Sequence, residues 1–222
     1  MPNPFAPDEV QKIKELKGLI ATNLKFKMLE FPVLLWEFLD KRAVLTGGAI
    51  PSLFHGEQPN DYDLYLKDQA SIDAFNKIIL PDSDVMKFVE DVNPKYMVGD
   101  FLVDGKLVTA QAVTFKNKVQ VITMHAADAR ETFDYIHCMV QYFPHTDNLY
   151  ISKHQFDVIK AKRLEYNPKG ITNNNMQQVR RMKYVKRGWE EAWSVVMITA
   201  NKAETAPINQ HTNYHNGKML SR

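Results

Sequence analysis

Asp61 and Asp63 stand two residues apart in the run Asn60-Asp61-Tyr62-Asp63-Leu64-Tyr65-Leu66, and Gly47-Gly48 lie upstream in the same stretch. Residues i and i+2 of a strand share a face, so the two carboxylates project together while Tyr62 and Leu64 turn into the core. Like charges held this close repel unless a cation neutralises them. A hard divalent ion, most often Mg²⁺, takes carboxylate oxygens and accepts substrate phosphates as its remaining ligands. The ordinary alternative is a strand end with two solvated aspartates, and Asp82-Ser83-Asp84 repeats the spacing elsewhere. The glycines shift the balance. At a strand end they let the backbone approach a phosphate closely, and the first N–H groups of the following turn attract an anion. Their structural alternative is a tight connection and nothing more.

The elements that must position these groups follow from the apolar pattern. Asp8 to Asp40 reads as mainly helical, with Val10, Ile13, Leu16 and Ile20 at helical spacing and a break or restart at Pro32. Ala43 to Thr46 is a short apolar strand, Ala49 to Phe54 one or two helical turns, His55 to Asn60 a loop, and Asp61 to Leu66 an alternating strand. Ser71 to Ile79 reads as a helix capped by Ser71. Strands are expected over Tyr96 to Leu102, Leu107 to Phe115 and Lys118 to Met124, with turns at Asp104-Gly105 and Asn117. Beyond Asp128 the pattern reads as mostly helical through Trp193, and Asn201 to Arg222 as a polar, mobile tail. The fold class expected is α+β, a mixed sheet flanked by helices. Its division is a head over 1–150, a basic helical segment over 151–200 and the tail over 201–222.

Composition bounds the class. The 222-residue chain is 45% hydrophobic and 24% charged, with a formal net charge of +2, which suits one globular domain with a real core. The longest apolar candidate, Phe31 to Leu39, is broken by Pro32 and Glu37 and falls short of the roughly 20 residues that span a bilayer, so no membrane partner is expected. The opening segment lacks a basic stretch followed by an apolar core, so no secretory leader is expected. One cysteine, Cys138, excludes an internal disulfide and a thiolate zinc cluster. A reducing, cytoplasmic setting is expected, the host cytoplasm if the chain is phage-encoded.

Leu45 to Leu66 resembles the signature of the nucleotidyltransferase superfamily, in which Gly-Gly or Gly-Ser opens a helix and Asp-x-Asp follows on the next strand. The branch it resembles most is the head domain of bacterial poly(A) polymerases and CCA-adding tRNA nucleotidyltransferases. Gly47, Gly48, Asp61 and Asp63 match position by position, whereas that branch's Arg-Asp is replaced by Pro51-Ser52. Val119 to Met124 resembles the later strand, Phe133-Asp134-Tyr135 the Asp-Phe-Thr segment near the nucleotide pocket, and Arg180 to Trp189 the basic helix after the head. The pairing of Phe133-Asp134-Tyr135-Ile136-His137-Cys138 with a late Lys186-Arg187-Gly188-Trp189 also resembles nucleotidyltransferase-like proteins of tailed phages. The third acidic position of many members is occupied here by Gln120, and Gln177 to Arg181 replaces the acidic pair and Arg used for base choice.

The resemblance implies Mg²⁺-dependent transfer (Mn²⁺ as a substitute) of a nucleoside monophosphate from an NTP, ATP among them, to an RNA 3′ end or a protein hydroxyl. Asp61 and Asp63 would be catalytic and hold the metal, with Gln120 as a neutral third ligand. Gly47, Gly48, Ser52, Asp134, Arg180, Lys183 and Arg187 would hold the nucleotide. The other reading is a catalytically degenerate descendant that binds a nucleotide, a partner or a virion. Basic residues from Lys153 to Arg187 outnumber Asp157 and Glu165, which suits polyphosphate or RNA as well as a solvated face. Arg180, Lys183 and Arg187 have the spacing of one helical face. Cys138 and His137 lie in an apolar run and read as core, His125 as structural or a phosphate contact, and Tyr184, Trp189 and Trp193 as packing residues.

Overall fold

Pro7 opens the first helix at a position where its missing N–H costs nothing, and the Glu9 carboxylate accepts the Ala6 amide at 3.1 Å. A computed structural model describes residues 4–79, 83–103, 106–170 and 174–192, of which 91–103, 106–111 and 174–176 by backbone alone. Helix α1 (Pro7–Met28) buries Leu16, Ile20, Leu24 and Met28, a stripe at four-residue spacing. Pro32 ends the connection and starts α2 (Val33–Arg42), which buries Leu35 and Leu39. Strand β1 (Ala43–Thr46) is buried throughout and runs through Gly47-Gly48 into α3 (Ala49–Phe54). Then come β2 (Tyr62–Leu66), α4 (Gln69–Ile78), β3 (Val89–Val103), β4 (Lys106–Phe115), β5 (Val119–His125) and α5 (Ala126–Thr132). The order finishes with β6 (Gln141–Phe143), β7 (Asn148–Tyr150), α6 (Lys153–Lys160), β8 (Arg163–Leu164), α7 (Asn174–Val185) and β9 (Glu190–Glu191).

The main sheet is mixed, in the order β3-β4-β5-β2-β1-β6-β7. Its one parallel pair is β2 with β5, while β1 with β2 and β4 with β5 are antiparallel. The central strands therefore have both faces covered. Leu45, Leu64, Leu66, Val119 and Val121 join α1, α2 and α3 in the main core. On the opposite face Val44, Tyr65, Ala112 and Ile122 form a second cluster closed by Ala126 and Ala129 of α5. A third cluster of Tyr135, Cys138, Leu164, Tyr184 and Trp189 ties the β8–β9 region and α7 to the segment before β6.

Three expectations are corrected. The α4 cap is Asp68, whose carboxylate accepts the amide and hydroxyl of Ser71 at 2.7 and 2.6 Å; the helix begins at Gln69, so Ser71 stands inside its first turn and supplies an amide to be capped. The stretch beyond Asp128 carries four short strands, β6 to β9, among its helices. Two- and three-residue strands show no period for sequence to report. Helix α7 stops at Val185, before Gly188 turns the chain at φ +77°. The Asp104-Gly105 turn, Asp82, Trp193 and the polar tail lie outside the described residues.

Ile20 is fully buried between α1 and the core. Ile20→Ala is expected to lower unfolding free energy by about 2–5 kcal/mol, read from the urea midpoint.

Candidate nucleotide and metal site

Strand register builds the site. At the level of Asp63 the row across the sheet is Thr46 on β1, Asp63 on β2, Gln120 on β5 and Thr114 on β4. Two residues further into each strand the same face is apolar, with Val44, Tyr65, Ile122 and Ala112 side by side. Asp63 is thus the last residue of β2 before its face becomes hydrocarbon. Burial and the neighbouring Asp61 charge push its carboxyl up to about 7, against the opposing fields of Lys183 and Arg180. Among the described residues neither Asp61 nor Asp63 has an ion-pair or hydrogen-bond partner.

Gly47 makes this placement possible. Its φ is +85°, and a Cβ there would stand 2.9 Å from Asp63 Oδ2. The turn is fixed from behind, because the Gly47 amide donates to Cys138 O at 3.0 Å and Thr46 Oγ1 donates to Cys138 O and Val140 O at 3.0 and 2.8 Å. A Cβ at Gly48 would stand 3.2 Å from Tyr184 Oη. That phenol also meets Cys138 Sγ at 3.3 Å. Tyr184 therefore seats α7 directly on the Gly-Gly turn.

Charged contacts hold α7 and the chain after it. Arg180 pairs with buried Asp134 at 2.5 Å. Arg187 pairs with Glu57 and donates to Ser52 Oγ at 2.7 Å, while Ser52 Oγ donates to Gly48 O at 2.8 Å. Lys162 reaches Glu57 at 2.8 Å and Arg187 O at 3.1 Å. Burial raises the Glu57 carboxyl, but the hydrogen bonds from Lys162 and Arg187 outweigh it and leave the group below its ordinary value. The expected single face of Arg180, Lys183 and Arg187 does not form: Arg187 lies past the helix end and is turned to Glu57.

Asp61, Asp63, Gly47, Gly48 and Gln120 thus gather at one end of the sheet, with Arg180 and Lys183 facing them from α7. Asp134, Ser52 and Arg187 stand around them in contacts of their own. Cys138 is buried and its thiol pushed up to about 12 by that burial, which removes it as a nucleophile at neutral pH. His137 has no hydrogen-bond partner on either ring nitrogen among the described residues, packs 4.2 Å from Trp189 and 4.5 Å from Tyr184, and is held near 3 by burial and the Arg187 charge. It is a core residue. His125 caps the end of β5, with Nδ1 3.6 Å from Asp128. Spacing gave no sign that Tyr184 meets Gly48 or that Lys162 meets Glu57, since each of those contacts joins residues more than a hundred positions apart.

A family model described as Gabija anti-defense 2 family protein matches residues 21–162. That span holds both glycines, both aspartates and Gln120 and covers well over half of the chain. The chain belongs to the Gabija anti-defense 2 family. A comparison with curated proteins finds no match. Among solved structures this family member is similar to a CCA-adding enzyme in an apo form, with 11% identity, a TM-score of 0.50, and 77% of this chain and 42% of that one covered. A Thermotoga maritima CCA-adding enzyme complexed with tRNA gives 12%, 0.50, 81% and 44%. A CCA-adding enzyme with CTP gives 13%, 0.51, 82% and 44%. The fold is that of the CCA-adding enzyme head domain, and the chain spans less than half the length of those enzymes.

The residues present fit one hard cation. Two carboxylates, unpaired among the described residues, share an end of the sheet with an amide oxygen donor at Gln120 on the adjoining strand. Among the described residues no group of three or more His, Cys, Asp or Glu side chains is placed to hold a metal.

Between the ordinary aspartate pKa and about 7 the folded protein keeps a proton on Asp63 that the unfolded chain has released. Stability therefore falls as pH rises through that window. Asp63→Asn is expected to raise the melting temperature of metal-free protein by a few degrees at pH 8, with the gain vanishing near pH 4, by calorimetry. Gly47→Ala meets both a left-handed φ and the Asp63 carboxylate. It is expected to cost about 1–3 kcal/mol in denaturant unfolding.

Proposed function

We propose that this protein is a divalent-cation-dependent nucleotidyltransferase that acts against Gabija defence, transferring a nucleoside monophosphate from an NTP to a hydroxyl of a macromolecular acceptor. The observation that carries the reading is the carboxylate pair beside Gly47: Asp63 sits partly buried and unpaired among the described residues, at a cost in stability that a purely structural protein has no need to keep. Support for the nucleotide comes from the likeness to CCA-adding enzymes solved with CTP and with ATP. Support for an RNA acceptor comes from the one solved with tRNA. The family description points instead to a component of the defence system as target.

In this reading Asp61 and Asp63 hold Mg²⁺ or Mn²⁺, with the Gln120 amide oxygen beside them. The bound ion supplies charge neutralisation at the phosphates and lowers the pKa of an attacking hydroxyl. Backbone at Gly47 and Gly48 admits the triphosphate close to the turn. Ser52 shapes that turn through its bonds to Gly48 O and Arg187. Lys183 and Arg180 bring positive charge from α7, and Asp134 orients Arg180. The acceptor oxygen bonds to the α-phosphorus, the bond from that phosphorus to the bridging oxygen breaks, pyrophosphate leaves and the hydroxyl proton passes to solvent. Catalysis of this kind is positioning and electrostatics, and no covalent protein intermediate is required.

A second reading rests on Gln120. A neutral residue beside Asp63 weakens metal binding, which favours a descendant that binds nucleotide or partner without turnover.

Purified protein is incubated with each α-³²P-NTP, Mg²⁺ or Mn²⁺, and either total RNA or purified Gabija components, beside Asp61→Ala/Asp63→Ala. Label transferred by the wild type and lost by at least about 10²-fold in the double variant is the expected outcome. Metal-dependent nucleotide binding with no transfer to any acceptor selects the second reading.

A further inference from the structure

The carboxylates left over for cations decide how many the site takes. In the sheet row that carries Asp63 the neighbours are Thr46, Gln120 and Thr114, all uncharged. The other acidic groups drawn towards the turn are already neutralised, Asp134 by Arg180 at 2.5 Å and Glu57 by Lys162 at 2.8 Å together with Arg187. Asp61 and Asp63 remain, and their two negative charges balance one divalent ion. A second ion about 4 Å from the first would repel it, and beyond the triphosphate the neighbouring row would offer it the neutral Gln120 amide in place of a further carboxylate.

Positive charge is instead built into the chain. Helix α7 is fixed over the turn by Tyr184 against Gly48 and by Arg180 against Asp134. Lys183, between those two anchors, has no ion-pair partner among the described residues and acts on the Asp63 carboxylate, as does Arg180. An ammonium on a docked helix is present at every metal concentration, and it binds phosphate as a compact point charge.

Building on the nucleotidyltransferase reading, we propose that the site takes a single divalent cation, on Asp61 and Asp63, and that the Lys183 ammonium stands against the triphosphate where two-ion sites place their second metal. The site then responds to metal as a one-ion device. Its hold on the triphosphate depends on α7 as much as on the carboxylates.

The test is Mn²⁺ titration of the full chain with one equivalent of a non-hydrolysable NTP analogue, followed by electron paramagnetic resonance. Uptake is expected to stop at one ion per chain with an uncoupled signal. Gln120→Asp is expected to admit a second ion and show spin coupling. Lys183→Ala is expected to weaken the analogue by about 10- to 100-fold with the ion count unchanged. Two coupled ions in the wild type would overturn the single-ion assignment and leave the nucleotidyltransferase reading standing. No bound ion, or one that survives Asp61→Asn/Asp63→Asn, would overturn both.

Discussion

A carboxylate pressed against main chain, with an apolar face behind it, is the constraint to which the rest of this molecule answers. The Asp63 oxygen lies so near Gly47 that a Cβ there would crowd it, and the glycine's left-handed φ turns the chain from β1 into α3. Desolvation at the edge of the Val44, Tyr65 and Ile122 patch resists ionisation. The molecule meets that penalty with the fields of Lys183 and Arg180 rather than with a direct ion pair. A carboxylate so placed accepts a cation readily, because binding relieves a repulsion already present.

Two different levels of structure deliver the parts. The sheet supplies the aspartates and Gln120 through backbone register, which is rigid because β1, β2 and β5 are covered on both faces. The cations arrive on α7, over a hundred residues after the aspartates, on a helix seated by the side chains of Tyr184 and Arg180. The matched family span ends at residue 162, so it contains the carboxylates and Glu57 but stops short of Arg180, Lys183, Tyr184 and Arg187. Membership of the family therefore speaks for the sheet half of the site more directly than for the helix half.

Much of the sheet half was legible in the sequence. The apolar pattern gives β1 its own bounds, β2 to within one residue, α3 as a short helix after Gly47-Gly48, and β3 to β5 as three consecutive strands, because alternation and turn residues state those elements locally. The mixed α/β class followed from the same pattern. The C-terminal half was harder, since β6 to β9 are too short for periodicity and depend on partners remote in sequence. Asp68 displaced Ser71 as the α4 cap because capping is settled by geometry after the helix forms. Arg187 looked like one face with Arg180 and Lys183, yet the helix stops at Val185 and the guanidinium turns to Glu57. Helical spacing carries no information about where a helix ends.

The contact between Tyr184 Oη and the position a Gly48 Cβ would fill has one more implication. The space beside the glycine is the space the phenol takes, so positions 48 and 184 are sterically coupled. A methyl group gained at 48 would press on the hydroxyl and on its contact with Cys138, while a phenylalanine at 184 would relieve that crowding. A turn in the head and a basic helix far downstream thus meet in one steric contact.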